Sequence, residues 1–172
     1  ACIKEVLEDL LNTGVDLHIL VINDGSDDRT EVLTRQVMES EGRVFLLNLP
    51  NNIGIGGAVQ AGFKFASRKG YEMIVQVDGD GQHRGDQLDR LLEPLKADQA
   101  DIVIGSRFLV DNGFNASFCR KVGIKFFTML ITLLTSRPVT DPTSGFRAFS
   151  RRTITYLTEN YAEDYPEPES II

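Results

Sequence analysis

The feature that most constrains this chain is a rhythm. Four short apolar runs, Leu17 to Ile22, Val44 to Leu49, Met73 to Val77 and Asp101 to Gly105, start about 27 to 29 residues apart, the length of one strand plus one helix. Between them lie segments of helical period, Ile3 to Asn12, Thr30 to Ser40, Gly57 to Arg68 and Gln87 to Ala97. Gly14, Gly42 and Gly70 each follow such a segment, where a left-handed residue closes a helix. Strands this continuously apolar, alternating with helices, predict an α/β fold with a mostly parallel sheet covered by helices on both faces. In open sheets of that kind ligands bind beyond the carboxyl ends of the strands. The loops after the four runs are therefore where chemistry is sought.

Composition narrows the partners. A chain of 172 residues suits one domain. Its net charge of -7 and pI near 4.8 leave no basic footprint for general nucleic-acid binding, and none for a polybasic membrane anchor. Cys2 and Cys119 have no pairing or ligand spacing and read as free thiols of a reducing compartment. No signal peptide precedes the first helix, and no apolar run reaches the ~18 residues that span a bilayer. A cytoplasmic location is expected, at most against the inner face of the membrane. The chain opens directly in an amphipathic segment without an initiating Met and closes on Ile171-Ile172 as a new apolar stretch begins. The expectation is a single catalytic domain over residues 1–172, truncated at both ends.

The strand ends carry the polar residues. The first leads into Asn23-Asp24-Gly25-Ser26-Asp27-Asp28, either a polar turn with a helix cap or a place where Asp24 meets a base or ribose. The second leads to Asn52-Ile53-Gly54-Ile55-Gly56-Gly57-Ala58. This is either a structural glycine turn or a backbone that lets a phosphate approach a helix N-terminus. It lacks the third glycine of a dinucleotide fingerprint and the Gly-Lys-Ser/Thr of a P-loop. The third, Val77-Asp78-Gly79-Asp80-Gly81-Gln82-His83, is the strongest local signal. Asp78 and Asp80, at i and i+2, leave the strand end on one side, and Gln82 continues the spacing with a neutral oxygen. Three hard oxygen donors suit Mg²⁺ or Mn²⁺ with room left for substrate phosphates. His83 reads as a solvated or hydrogen-bonded loop residue, and His18 as structural.

The fourth strand end, Gly105-Ser106-Arg107-Phe108, is followed by Arg120-Lys121 and by Asp141-Pro142-Thr143-Ser144-Gly145-Phe146-Arg147. Arg clusters in an acidic chain suit bidentate contacts to one anion if they converge. Val122 to Ser136 holds a single charge, Lys125, in fifteen residues. It is either a buried helix or an interfacial one carrying apolar side chains into the headgroup region.

Taken in order, these five motifs resemble family 2 glycosyltransferases with the Rossmann-like GT-A fold. The likeness is greatest to the dolichol-phosphate mannosyltransferase branch and its bacterial polyprenyl-phosphate relatives, and it covers residues 3 to 150. The resemblance implies a nucleotide-sugar donor, a Mg²⁺ or Mn²⁺ cofactor and a lipid-phosphate acceptor, with peripheral membrane contact through residues 122–136. It implies that Asp24, Gly54, Asp78 and Gly79 bind the nucleotide and that Asp78, Asp80 and Gln82 hold the metal. Arg107, Arg120, Lys121, Ser144 and Arg147 would meet the acceptor phosphate, and Asp80, Arg107 and Arg120 would be catalytic. Two departures stand out. The strand with which the family begins, central to its sheet, is absent, and Asn23 replaces the first Asp of the family's Asp-Asp-Gly-Ser.

A phosphate acceptor, with a pKa near ~6, is largely dianionic at neutral pH and needs no general base. A hydroxyl acceptor does, and only Glu163 and Asp164 offer themselves. Sugar transfer to a polyprenyl or dolichyl phosphate, by metal-assisted inverting displacement, is therefore the leading expectation. Transfer to a sugar hydroxyl in polysaccharide synthesis is the alternative. A nucleotidyltransferase would carry a glycine-rich basic loop after its first strand. An Asp-x-Asp-x-Thr phosphatase would have Thr where Gln82 stands. A non-catalytic nucleotide-binding module would keep the fold alone.

Overall fold

The computed structural model describes residues 3–106, 141 and 144–160. Along the chain run α1 (Ile3–Leu11), β1 (Ile19–Asn23), α2 (Thr30–Ser40), β2 (Val44–Asn48), α3 (Gly54–Lys69), β3 (Met73–Gln76), a 3₁₀ turn (Gly85–Gln87), α4 (Leu88–Lys96), β4 (Ile102–Ile104), β5 (Arg147–Ser150) and α5 (Arg151–Asn160). All four expected strands and all four expected helices form where the periodicity placed them. Gly70 closes α3 in the left-handed conformation, φ 76°, with its N–H on Ala66 and Ser67 carbonyls. Gly42 departs from expectation. Extended Glu41, φ −125°, closes α2 instead, and Gly42 keeps an ordinary backbone.

Two hydrogen-bonded sheets are present among the described residues. β1 and β2 pair in parallel, from Ile19↔Val44 to Asn23↔Asn48. β5 lies between β3 and β4 and is antiparallel to both. β5 and α5 have no counterpart among the expected elements, because Arg147-Ala148-Phe149-Ser150 has neither an apolar run nor a clean alternation. Asp101 locks this insertion. Its carbonyl accepts from Ser150 N–H and from Thr153 Oγ1, while its carboxylate accepts from Ser150 Oγ and Arg152. These hydroxyl and guanidinium donors hold the Asp101 carboxyl below its ordinary value.

Side chains alternate across this three-stranded sheet, as the two-residue period of a strand requires. On one face Met73, Val75, Val77, Val103 and Ala148 meet Leu88, Leu91, Leu92 and Leu95 of α4. On the other Ile74, Ile102 and Phe149 meet Phe63 and Ala66 of α3 with Ile154 and Leu157 of α5. Both faces are thus covered, as expected for an α/β domain. α1 ties the two sheets together. Ile3 and Leu7 pack on Val21 and Val44 of β1 and β2, while Val6 and Leu10 join the α4 cluster beneath β3. Among the described residues β1 and β3 each keep one edge unpaired.

Candidate functional site

The carboxyl ends of the strands build two clusters. At the end of β1, Asn23 is buried and runs a chain of amide bonds. Its Oδ1 accepts from Ser26 N–H at 3.0 Å and its Nδ2 donates to Asn48 Oδ1 at 2.9 Å. Asn48 Nδ2 in turn donates to Glu31, which also holds Arg35. A carboxylate at position 23 would set oxygen against Asn48 Oδ1, and turning the Asn48 amide would forfeit Glu31. Asn23→Asp, the residue usual in the family, is therefore expected to destabilise the fold by about 1–3 kcal/mol, measured by urea unfolding.

Asp24 follows. Its two carboxylate oxygens accept the backbone N–H groups of Ile53 and Gly54, each at 2.8 Å. The N-cap residue Ile53 makes no side-chain bond to α3 and Asn52 Oδ1 reaches only the Gly54 N–H, at 3.2 Å, so a residue from the end of β1 supplies the main cap across the fold. Gly54 stands at φ 81°, and the glycines ahead of α3 become its first turn. Ile53 and Ile55 flank this point as exposed apolar side chains, at 54% and 48% exposure.

The second cluster lies where β3 ends. Gly79-Asp80-Gly81 turn tightly, with Gly81 at φ 80° and Gln82 N–H donating to Asp80 Oδ1 at 2.9 Å. The Asp78 N–H donates to His83 Nδ1 at 3.1 Å. The His83 ring, only 8% exposed, puts Nε2 at 3.7 Å from Asp78 Oδ2 and stacks on Phe146 at 5.0 Å and 21°. His83 is thus hydrogen-bonded as expected but not solvated. His18 is structural, its Nδ1 2.7 Å from Tyr71 Oη and its ring edge-on to Phe45 and Tyr71.

Because β5 runs antiparallel, its beginning joins the ends of β3 and β4. Gly105 N–H donates to the Phe146 carbonyl at 2.8 Å. Ser144 and Arg147, expected at an acceptor phosphate, are buried at 0% and 2% exposure. Arg147 Nε donates to the Ser144 carbonyl and Ser144 Oγ accepts from Phe146 N–H. Asp141 is also buried, and its carbonyl accepts from Ser144 N–H. Arg107, Arg120, Lys121, residues 122–136, Glu163, Asp164 and both cysteines lie outside the described residues.

Asp80 and Gln82 are exposed and Asp78 is half-buried. Among the described residues no three His, Cys, Asp or Glu side chains gather at one point. The strand-end donors are two carboxylates and an amide, hard oxygens that fit Mg²⁺ or Mn²⁺ when substrate phosphates complete the shell. No helix among the described residues is long and apolar enough to cross a membrane.

An α/β domain with a carboxylate turn at the end of a strand whose sheet is covered by helices on both faces has the architecture of a GT-A glycosyltransferase. The family model described as glycosyl transferase family 2 matches residues 1–157, and the chain belongs to that family. It is 32% identical over 170 residues to a UDP-N-acetylglucosamine--dolichyl-phosphate N-acetylglucosaminyltransferase of Methanococcus voltae, covering 91% of this chain and 67% of that protein. It is 34% identical to a polyprenol monophosphomannose synthase of Mycolicibacterium smegmatis, over 80% of this chain and 52% of that one. It is 33% identical to an undecaprenyl-phosphate mannosyltransferase of Micrococcus luteus, over 79% and 56%. The chain thus spans between half and two thirds of the length of these relatives.

Proposed function

We propose that this chain is the nucleotide-sugar-binding catalytic part of a glycosyltransferase that moves a sugar onto a polyprenyl or dolichyl phosphate. The observation that carries the reading is the turn Asp78-Gly79-Asp80-Gly81-Gln82 at the end of β3, half-buried at Asp78 and exposed from Gly79 on, beside the start of β5. The three relatives are named for dolichyl-phosphate, polyprenol monophosphomannose and undecaprenyl-phosphate chemistry, which supports the acceptor class.

In this reading Asp78, Asp80 and Gln82 would hold Mg²⁺ or Mn²⁺. When bound, such an ion neutralises charge developing on the leaving nucleoside diphosphate. Asp24 fixes the Gly54 turn beneath the nucleotide and takes part in holding the base. An oxygen of the acceptor phosphate attacks the anomeric carbon, and the bond from that carbon to the diphosphate oxygen breaks. The electron pair leaves with the diphosphate, and configuration inverts. Arg107, Arg120 and Lys121 supply positive charge to the acceptor phosphate, with Ser144 and Arg147 shaping that region from the interior. Residues 122–136 bring the site to the membrane that holds the lipid, at its cytoplasmic face.

Labelled UDP-GlcNAc, UDP-glucose or GDP-mannose incubated with a polyprenyl phosphate and Mn²⁺ is expected to yield label in the lipid phase, counted after extraction. Incorporation only into sugar hydroxyls would sink the proposal.

A further inference from the structure

One residue at the strand end has no room for a side chain. A Cβ built on Gly145 would lie 2.5 Å from Asp78 Oδ2, 2.9 Å from Oδ1 and 3.0 Å from Cγ. The Asp78 carboxylate therefore occupies the space an alanine methyl would take. The ladder explains why. Continuing the β3–β5 register from Gln76↔Arg147 by two residues sets Asp78 opposite Gly145. Gly145 does not stand at positive φ, so glycine is needed here for space and not for backbone conformation.

His83 borders the same carboxylate. Its Nδ1 accepts the Asp78 N–H, which leaves the proton of the neutral ring on Nε2, the nitrogen nearer Asp78 Oδ2. The ring is seated on Phe146. Phe146 fills the place of a second missing side chain, since a Cβ on Gly105 would lie 2.5 Å from Phe146 Cδ1. Gly105, Phe146, His83, Asp78 and Gly145 thus form one packed sequence of contacts across β4, β5 and β3.

We propose that Gly145 and His83 are positioning residues that fix the Asp78 carboxylate in one orientation, with Phe146 and Gly105 seating the His83 ring. The proposal rests on the reading of Asp78 as a ligand of the metal and nucleotide. A methyl at position 145 meets the movable end of a short side chain, so the carboxylate swings away while the sheet persists. His83→Asn keeps an acceptor where Nδ1 stood, because Asn Oδ1 lies equally far along its side chain. His83→Ala removes it.

Two readouts on the full chain separate the proposal from the reading beneath it. Without metal, three-bond couplings about the Asp78 Cα–Cβ bond are expected to report one rotamer in the parent and a different or averaged one in Gly145→Ala. With Mn²⁺ alone, followed by electron paramagnetic resonance, Gly145→Ala and His83→Ala are expected to weaken binding about 10- to 100-fold, as loss of supporting contacts does in metal sites. His83→Asn, which keeps the acceptor for Asp78 N–H but loses the ring and Nε2, should fall between the parent and His83→Ala, and Asp78→Ala should bind no better than Gly145→Ala. Mn²⁺ binding unaffected by Asp78→Ala would overturn the metal reading, and the couplings would still decide the positioning. Unchanged couplings and Mn²⁺ affinity in Gly145→Ala, with Asp78→Ala impaired, would overturn the positioning. If Gly145→Ala melts early, the double variant with Asp78→Ala, which vacates the space, should recover the parent melting temperature. A double variant as unstable as the single one would overturn the proposal.

Discussion

Asp80→Ala is expected to abolish Mn²⁺-dependent nucleotide binding while the chain stays folded. Asp80 is exposed, and its described hydrogen bond is the one it accepts from Gln82 N–H inside its own turn. Losing a local turn bond of this kind costs the fold about 1 kcal/mol or less. The functional cost is larger. Removing one fixed charge-stabilising group from a site where charge develops typically lowers turnover about 10²–10³-fold. Asp80→Asn keeps the acceptor of the turn and discards the charge, so it should fold like the parent and bind metal like Asp80→Ala. Calorimetric titration with UDP- and GDP-sugars, with and without Mn²⁺, reads the difference. Asp80→Ala binding nucleotide with undiminished Mn²⁺ dependence would remove this turn from the active site.

Much of this was legible in the sequence because it depends on short-range pattern. A run such as Met73-Ile74-Val75 is a strand wherever the chain puts it, and Thr30–Ser40 has a helical period independent of its neighbours. The turn after β3 was legible for the same reason, since two Asp and two Gly in four positions at a strand end carry their meaning locally. What was hidden depends on contacts between distant segments. Arg147-Ala148-Phe149-Ser150 becomes a strand because β3 and β4 leave a slot between them, and nothing within four residues states that. Gly145 looked like one letter in a loop motif. Its meaning is the Asp78 carboxylate, 67 positions away in sequence, which only the β3–β5 register brings to it. His83 was read as a loop histidine because the sequence does not show Phe146 beneath its ring.

The end of β1 illustrates how a residue's chemistry can be legible and its partner not. Asp24 carries two readings from sequence, a cap and a nucleotide ligand, and the geometry gives it a cap on a helix 29 residues away in sequence. The same geometry removes the puzzle of Asn23. In place of a second carboxylate, an amide that both donates and accepts links Ser26 to Asn48, which a carboxylate beside it cannot do.

Asp24→Ala is accordingly expected to lower stability by about 2–3 kcal/mol, combining the loss of a capping side chain with the loss of a negative charge at a helix N-terminus. For a chain of this size that is a melting-temperature drop on the order of 5–10 °C. The two amides it releases, of Ile53 and Gly54, open a 16-residue helix, and only Gly54 N–H keeps a second acceptor, Asn52 Oδ1 at the longer distance of 3.2 Å. Their release also frees the Gly54 turn, so nucleotide affinity should fall along with stability. Asp24→Asn retains one acceptor oxygen for the two amides and is expected to recover roughly half of the loss in melting temperature. A side chain that only contacted the base would behave differently. Its removal would weaken nucleotide binding and leave the melting temperature of the ligand-free chain unmoved. Thermal unfolding of the three forms without ligand distinguishes these cases, and equal melting temperatures would show that Asp24 does not hold the start of α3.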